Sequence, residues 1–377
     1  MVAVSKPATS CDLKITGVKA FRLRLPFKSA VAYKSVKQSA GEYVLLRLTL
    51  DNGLQGFAET NCRLEQSGED AVSLAYQLET FFAPRLLGAD PLGRLAIMER
   101  LNAVRDCRAA KNLIDIALWD LCGRILVQPV WRLLGGAAPG PMPLSWIAHG
   151  NTVDGQIAEA RKMRDTRGYR GLKLKTWRRS REDLRMIEGV RSAVGDEVVI
   201  YIDCNGSYAE SEARAVLPSV VDFGVRFIEE PCDFTDIRRQ ADLAGRLPVP
   251  LLGDQCCESL FEAHAHLQAR SIGGVSIKMR RTGLTESLKI INLCEASGVP
   301  ALIGTDSESR LAAMPRAHLH AAIPWLQGLP AETHFFDKLE DDVFRGDFKF
   351  RDGTLTPNDA PGFGADIDEA KLAKYAF

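Results

Sequence analysis

The sequence predicts an α/β protein in which a β/α barrel follows a mixed α+β region. From Pro143 onward, short apolar runs recur and each precedes a helical segment. Eight such runs end near Ile147, Lys175, Asp203, Glu229, Asp254, Lys278, Gly304 and Glu332. From Lys175 to Lys278 the run ends follow one another at steps of 28, 26, 25 and 24 residues. Before Pro143 the pattern is different, with alternating strands first and helical periodicity second.

Each step has the length of one strand, a loop, a helix and a second loop. Parallel strands need a crossover of this length because a tight turn cannot join them. Eight such runs therefore favour a β/α barrel. A doubly wound open sheet is the structural alternative, but no glycine-rich phosphate loop follows the first strand.

The N-terminal part predicts a meander of about three strands. Leu13 to Leu25 is strand-like, and Glu42 to Leu50 alternates between apolar and polar residues. Asp51-Asn52-Gly53 then predicts a turn into a strand from Leu54 to Glu59. The intervening segment, Pro26 to Ala40, is polar and rich in Lys and Ser, and it predicts a mobile loop.

Helical periodicity runs from Asp70 to Leu134. It is clearest in Ala109 to Leu126, where apolar residues recur every three or four positions, and Gly135-Gly136 ends it. After Asp341, the segment Phe348 to Leu355 predicts a hairpin, followed by a Pro-Gly-Phe-Gly motif and a short helix.

Composition excludes several classes of partner. The 377 residues carry 48 Lys plus Arg and 48 Asp plus Glu, so no global basic field attracts nucleic acid or an anionic membrane. The polar N-terminus and the glycine-interrupted uncharged stretches predict neither a signal peptide nor a membrane span. Nine cysteines without a C-x-x-C pair predict reduced thiols. We therefore expect a cytoplasmic protein that acts on a small molecule, with no nucleic-acid or membrane partner.

Two lysines end the second run. In the segment Gly171 to Lys175, Lys173 and Lys175 are two residues apart and point to the same side, into the barrel mouth. Two close ammonium groups disfavour each other's charge, so at least one pKa should fall and give a better base. The alternative is an edge strand with two surface lysines.

Acidic residues end the next three runs, at Asp203, Glu229 and Asp254. The active sites of barrels lie at this end of the strands, so three negative charges would meet in one mouth. A hard divalent cation resolves their repulsion, and Mg²⁺ prefers a few carboxylates with water and substrate oxygen. A single acid there is often a helix cap or a surface residue, but three in succession argue against that interpretation.

The following run ends in Lys278, across the barrel from Lys173 and Lys175. Partial desolvation of a strand-final lysine should lower its pKa. Two bases on opposite sides of a metal-bound carboxylate suit removal and return of the proton α to that carboxylate. The metal would stabilise the enediolate that forms.

The order Lys-x-Lys, Asp-x-Asn, Glu-Glu-Pro, Asp, Lys resembles the enolase superfamily, and within it the muconate lactonizing enzyme subgroup of the mandelate racemase/muconate lactonizing enzyme type. The resemblance covers nearly the whole chain. Further matching segments are Ala110 to Asp120 with Leu133 to Gly136, Met279 to Leu284, Glu308-Ser309-Arg310 and Pro361 to Gly364.

The resemblance implies a modified TIM barrel, (β/α)₇β, over residues 141–341. A capping domain of residues 1–140, joined by the returning tail of residues 342–377, would cover it. The capping segments Pro26 to Ser39 and Thr60 to Gln66 would close over the substrate and set specificity. Family members are often dimers or octamers, so a homo-oligomer is expected.

By position, the resemblance makes Asp203, Glu229 and Asp254 the ligands of Mg²⁺, with Mn²⁺ as the alternative metal. It makes Lys175 and Lys278 the acid/base pair and places Lys173 beside the substrate carboxylate. The substrate-binding candidates are Asn205, Asp306, Ser307 and Glu332.

Three positions depart from the family pattern. Gln255-Cys256 replaces the usual Glu-Ser after the third ligand, which changes the neighbouring charge. The seventh run ends in Gly304-Thr305-Asp306 without a histidine, which disfavours sugar-acid dehydratases. Glu332-Thr333-His334 replaces the Asp-x-Asp of dipeptide epimerases, although Glu332 itself resembles the lactonizing enzymes.

The leading function is therefore an isomerase: a two-lysine racemase or epimerase of an amino-acid derivative, or a muconate-type cycloisomerase. The alternative is a lyase that dehydrates a hydroxy-acid or hydroxyproline-type substrate by β-elimination. A Schiff-base aldolase and a non-catalytic barrel are further alternatives. One hypothesis is that Asp306 and Glu332 bind a cationic nitrogen; otherwise Asp306 caps the following helix.

Overall fold

The computed structural model describes residues 13–33, 36–64, 68–148, 150, 152–176 and 179–377. The described N-terminal residues form an antiparallel three-stranded sheet, which confirms the predicted meander. Its strands are β1 (Ile15–Tyr33), β2 (Val36–Leu50) and β3 (Gln55–Cys62). The predicted turn between β2 and β3 is present, and Gly53 supplies its positive φ of 82°.

The segment from Pro26 to Ala40 corrects a prediction. Instead of a loop, its described part extends β1 and β2, and Val31 pairs with Gln38. A register shift between Pro26 and Val31 accommodates the proline, which has no N–H to donate to the ladder. The Lys- and Ser-rich pattern predicts a loop because apolar and polar residues do not alternate in it. Main-chain pairing between strands does not require that alternation. Residues 34–35 and 65–66 of the predicted capping segments lie outside the described residues.

Helices follow the N-terminal sheet and pack on it. They are α1 (Ala71–Tyr76), α2 (Ala83–Leu86), α3 (Arg94–Asn102), α4 (Arg108–Ile125) and α5 (Val130–Leu133), with a π-helical segment at Gln77–Phe82. Helix α4 is buried along most of its length and lies close to β3. A Cβ on Gly56 would lie 2.8 Å from the carbonyl oxygen of Ala117, so the close approach needs a glycine there.

Parallel strands in sequence order form the curled sheet of the barrel. After the short β4 (Met142–Pro143), they are β5 (Ser145–Ala148), β6 (Gly171–Lys175), β7 (Val199–Asp203), β8 (Val225–Glu229), β9 (Leu251–Gly253), β10 (Gly274–Ile277) and β11 (Ala301–Ile303). The helices between and after them are α6 (Val153–Arg167), α7 (Ser180–Val194), α8 (Glu210–Val216), α9 (Ile237–Ala244), α10 (Leu260–Gln268), α11 (Met279–Thr282), α12 (Thr285–Ala296) and α13 (Arg310–Ala322).

The eighth predicted run closes the barrel without forming a regular strand. Its Ala331 pairs with the first strand of the sheet, since Ser145 N donates to Ala331 O at 2.7 Å. On the other side, Glu332 N donates to Ile303 O of β11 at 2.7 Å. The run therefore links the two ends of the seven-stranded sheet, and the sequential strand order rules out a doubly wound arrangement.

The end of the C-terminal tail packs against the N-terminal sheet, whereas its hairpin pairs with β4 at the start of the barrel. It contains β12 (Phe344–Gly346), β13 (Lys349–Arg351), β14 (Thr354–Thr356), β15 (Ala365–Ile367) and α14 (Glu369–Tyr375). Strands β13 and β14 are the predicted hairpin. Ala376 bridges to Leu23 of β1, and Arg47 of β2 pairs with Glu369 at 2.5 Å. These contacts support the predicted return of the tail, while the domain boundaries at residues 140 and 341 stay a prediction.

Candidate active site

The carboxyl ends of β6, β7 and β8 bring the predicted chemistry together. Lys175 pairs with Asp203 in the register of these strands, and Asp203 pairs with Glu229. A cavity of about 80 Å³ opens above them. Eight of the predicted site residues line it: Lys173, Lys175, Asp203, Asn205, Asp254, Lys278, Asp306 and Ser307. The other two, Glu229 and Glu332, are fully buried behind that wall.

Lys173 lies at the centre of the buried charges. Its side chain is 2% exposed, and its Nζ lies 2.5 Å from Glu229 Oε2 and 2.8 Å from Glu332 Oε1. Burial alone would lower the pKa of Lys173, but the charges of Glu229, Glu332 and Asp203 raise it well above its usual value. Lys173 is therefore an ammonium that holds the acids together.

Lys175 occupies the open side of the mouth. Its side chain is 28% exposed and forms an ion pair with Asp203. Its Nζ also donates to Asn205 Oδ1 at 2.9 Å. Asn205 N in turn donates to Asp203 Oδ1 at 2.9 Å, with the Asn205 backbone at a φ of 45°. The Asp-x-Asn motif thus forms a small turn that holds Lys175 in place, since Asn tolerates this conformation better than most residues.

Lys278 occupies the closed side. Its side chain is 7% exposed, and its Nζ lies 2.7 Å from Asp254 Oδ2. Burial opposes the charge of Lys278, but Asp254 and Glu229 together raise its pKa above the usual value. The predicted fall in the pKa of Lys278 is therefore wrong. The other prediction, that at least one lysine of the pair Lys173 and Lys175 has a lowered pKa, does not hold for Lys173. Desolvation is present in both cases, but buried carboxylates outweigh it.

Arg281 and Glu230 fix the third acid, and sequence reasoning missed both. Arg281 Nη1 donates to Asp254 Oδ1 at 2.8 Å and to its carbonyl oxygen at 3.0 Å. Glu230 accepts from Asp254 N at 3.2 Å and from Cys256 N at 2.9 Å. Gln255, which departs from the family pattern, donates to the same carboxylate at 2.9 Å. The position of Arg281 three residues after Lys278 was a usable signal, because it is one helical turn on.

The donor set fits a divalent cation, although the carboxylates currently contact ammonium groups. Within the described residues, no three His, Cys, Asp or Glu side chains are arranged to hold a metal as they stand. Oε1 of Glu229 is buried without a hydrogen-bond partner, whereas Oε2 contacts Lys173. Burial and the charge of Asp203 raise the pKa of Glu229 well above its usual value. A buried carboxylate that repels its neighbours and has an unused oxygen is suited to a hard cation.

The two outer acids already have cationic partners. Asp306 accepts from Arg316 Nη2 at 3.0 Å, and Arg316 is itself buried. Glu332 pairs with Lys173. The hypothesis that these acids bind a cationic nitrogen stays a prediction, and it requires each acid to exchange its present partner. The capping alternative is wrong, because Ser309 is the N-cap of α13. Ser307 lines the cavity with a φ of 64°.

A second cavity adjoins the first between the N-terminal region (residues 13–135) and the barrel. Its volume is about 300 Å³, and it shares Arg63 and Asp306 with the smaller cavity. Arg280 lies on its barrel side and pairs with Glu69 of the N-terminal region at 2.9 Å. Sequence reasoning missed this cavity, because its walls come from segments far apart in the chain.

Family models match both parts of the chain. The mandelate racemase/muconate lactonizing enzyme N-terminal domain matches residues 13–135, and the enolase C-terminal domain-like family matches residues 156–371. The chain belongs to the enolase superfamily. The likeness is to its muconate lactonizing enzyme subgroup, as the motifs predicted, and the racemase and cycloisomerase relatives named below are isomerases. Enzymes of this family typically use a divalent metal.

Individual relatives agree with this assignment. The chain is 26% identical to the N-succinyl-L-Arg/Lys racemase of Bacillus cereus, covering 96% of this chain and 97% of the relative. It is 29% identical to a chloromuconate cycloisomerase of Pseudomonas putida, covering 82% and 84%. A muconate lactonizing enzyme from Pseudomonas fluorescens complexed with muconolactone superposes with a TM-score of 0.91 at 25% identity, covering 97% and 99%. Among the described residues, no helix is long and apolar enough to span a membrane.

Proposed function

We propose that this protein is a metal-dependent racemase that removes and returns the α proton of an N-acyl amino acid. The observation that carries the proposal is the pair of lysines, Lys175 and Lys278, which line one cavity from strands β6 and β10. Four strand steps separate β6 from β10 in a ring closed by the eighth run, so the two amines approach from opposite sides. Racemisation needs one base on each face of the α carbon.

The strand-end acids support the metal requirement. Asp203, Glu229 and Asp254 would hold Mg²⁺, with Mn²⁺ as the alternative. The bound ion would supply Lewis-acid stabilisation of the negative charge that develops on the substrate carboxylate. Lys173, buried beside Glu229, would orient that carboxylate. One lysine amine of the pair accepts the α proton, and the ammonium on the opposite face returns a proton.

The charges around the cavity support an acylated nitrogen. A free α-ammonium group would have to displace Lys173 from Glu332 or Arg316 from Asp306, and both of these cations are buried. An amide nitrogen carries no charge and requires no such displacement. The relative named as an N-succinyl-L-Arg/Lys racemase acts on substrates of this type.

A muconate-type cycloisomerase is the second candidate. The small size of the first cavity, about 80 Å³, suits a compact substrate, and the structure complexed with muconolactone superposes closely. Only one of the two lysines is needed to deliver or remove a proton in that reaction. The adjoining cavity of about 300 Å³ would then have no role, which is why we favour the larger N-acyl substrate.

The test follows α-proton loss by NMR in D₂O with Mg²⁺, using N-acetyl and N-succinyl derivatives of several amino acids. The expected result is metal-dependent exchange with inversion of configuration. Loss of cis,cis-muconate absorbance is measured in parallel. Muconate turnover without exchange at any N-acyl amino acid would overturn the racemase in favour of the cycloisomerase. Activity that survives complete removal of divalent metal would overturn the metal requirement.

A further inference from the structure

The second cavity suggests where the remote part of a substrate binds. It is larger than the catalytic cavity, at about 300 Å³ against 80 Å³, and the two meet at Arg63 and Asp306. A substrate whose α carbon lies between the two lysines can therefore extend past Asp306 into this space. Drug-sized ligands occupy cavities of about 300 Å³ or more, so the second cavity has room for a substantial group.

The charged side chains that line this cavity differ in which part of the chain supplies their ion-pair partner. Asp306 is neutralised by Arg316, and Arg281 is held by Asp254 and by Glu258 at 3.2 Å. Arg280 has a different partner. Its guanidinium pairs with Glu69, which belongs to the N-terminal region and lies 211 residues away in sequence.

We propose that the second cavity binds a distal carboxylate of the substrate, and that Arg280 anchors it by exchanging Glu69 for the substrate group. This inference rests on the proposed function, since it names the class of N-acyl amino acid that the same site takes. The carboxylate belongs to the acyl group or to the amino-acid side chain. Both sources present the same chemistry to Arg280.

The surroundings of Arg280 fit an anchor. Its carbonyl oxygen accepts from Asn112 Nδ2 at 3.0 Å, and its N donates to Asp306 Oδ2 at 3.4 Å, so the backbone is fixed from both sides. A guanidinium matches a carboxylate with two parallel hydrogen bonds. Arg280 and Glu69 both line the cavity, so a carboxylate bound there lies within reach of the Arg280 guanidinium and can replace Glu69 as its partner.

Two pairs of probes separate the sources of the carboxylate. N-succinyl-L-alanine is compared with N-butanoyl-L-alanine, which differs in a terminal methyl in place of the carboxylate. N-acetyl-L-glutamate is compared with N-acetyl-L-norvaline in the same way. We expect kcat/KM for α-proton exchange to be about tenfold or more higher for the dicarboxylate of one pair, the size of a charge-assisted pair of hydrogen bonds.

Matched variants of the ion pair decide whether Arg280 is the anchor. Arg280→Gln and Glu69→Gln break the same salt bridge, so a purely structural bridge would give both variants the same defect. We expect opposite effects on KM for the preferred dicarboxylate. KM should rise about tenfold in Arg280→Gln and fall in Glu69→Gln, because the competing carboxylate is gone. The kcat and the exchange of the methyl-ended probe should change little in either variant.

Each remaining outcome has a defined meaning. Equal kcat/KM values within both pairs, or a parallel rise of KM in both variants, would overturn the inference and leave the racemase proposal standing. A preference for N-acetyl-L-lysine would also overturn it, because the cavity would then bind a cation. No exchange with any N-acyl probe by the wild type would overturn the proposed function, and the inference would fall with it.

Discussion

The two sides of the barrel mouth present the same residue in different surroundings. On the β6 side, Lys175 is 28% exposed and contacts Asp203 and Asn205. On the β10 side, Lys278 is 7% exposed and contacts Asp254, a carboxylate that Arg281 also holds. The β6 side is thus partly open to water and has few ion pairs, whereas the β10 side is buried and has several.

The difference shows that a motif fixes which group lies at a strand end but not how that group behaves. Two strand-final lysines lie at opposite ends of one array of acids, yet water reaches one far more easily than the other. The two faces of a substrate would therefore meet unequal proton donors. Substitutions on the two sides should reveal this asymmetry.

The largest expected effect comes from removing each lysine in turn. Lys175→Ala and Lys278→Ala should each reduce racemisation by roughly 10²- to 10⁴-fold, because each removes one acid/base group. Each variant should still exchange the α proton of one enantiomer, and the two variants should retain opposite enantiomers. Chiral chromatography and NMR in D₂O measure both quantities.

Lys289→Ala is the matched control, since Lys289 is an exposed lysine on α12 outside both cavities. Its racemisation rate should equal that of the wild type. If both active-site variants kept exchange with the same enantiomer, the two lysines could not lie on opposite faces of the α carbon.

A second effect concerns stability in the absence of metal. Asp254→Asn leaves Lys278 buried without its carboxylate and leaves Arg281 with Glu258 alone, and breaking a buried pair in this way costs about 3–5 kcal/mol. Asp203→Asn leaves Lys173 with Glu229 and Glu332, and leaves Lys175 partly exposed, where water can solvate it, so we expect about 1–2 kcal/mol. Urea unfolding with a chelator present measures both. Equal losses would show that the closed side is no more tightly coupled than the open side.

A third effect tests whether a metal bridges the two sides. Mg²⁺ at about 100 times its dissociation constant should stabilise the wild type by roughly 2.7 kcal/mol. The gain should vanish in Asp203→Asn and in Asp254→Asn alike, because one ligand comes from each side. Unfolding curves with and without Mg²⁺ measure the gain, and α-proton exchange should be lost after chelation. A gain that survives in either variant would remove that residue from the ligand set.

The sequence predicted the strand ends of the barrel better than their electrostatics. The apolar runs and their regular steps located Lys175, Asp203 and Glu229 at the ends of their strands, because strand ends depend on local pattern. The pairing of Asp306 with Arg316 could not be found in this way. It depends on how α13 packs onto the barrel, and hence on contacts made only after folding.

The same distinction applies to the N-terminal region. The strands with clear alternation were predicted, whereas the extension of β1 and β2 through Pro26 to Ala40 was not. Main-chain pairing stabilises that extension, and the pattern of side chains in the sequence does not indicate main-chain pairing. The second cavity was missed for a related reason, since Glu69 and Arg280 meet only when the N-terminal region lies on the barrel.

The smallest expected effect is on the open side, at Asn205. Its Oδ1 accepts from Lys175 at 2.9 Å, and its backbone has a φ of 45°. Asn205→Gly removes the hydrogen bond without straining the backbone, and should slow proton transfer at the Lys175 face about fivefold, for a loss near 1 kcal/mol. Asn205→Ala should slow it at least as much and also lower stability, because alanine is strained at this φ. Exchange of the enantiomer served by Lys278 should be unchanged in both variants. Equal slowing at both faces would mean that Asn205 organises the whole mouth, and that the two sides are not independent.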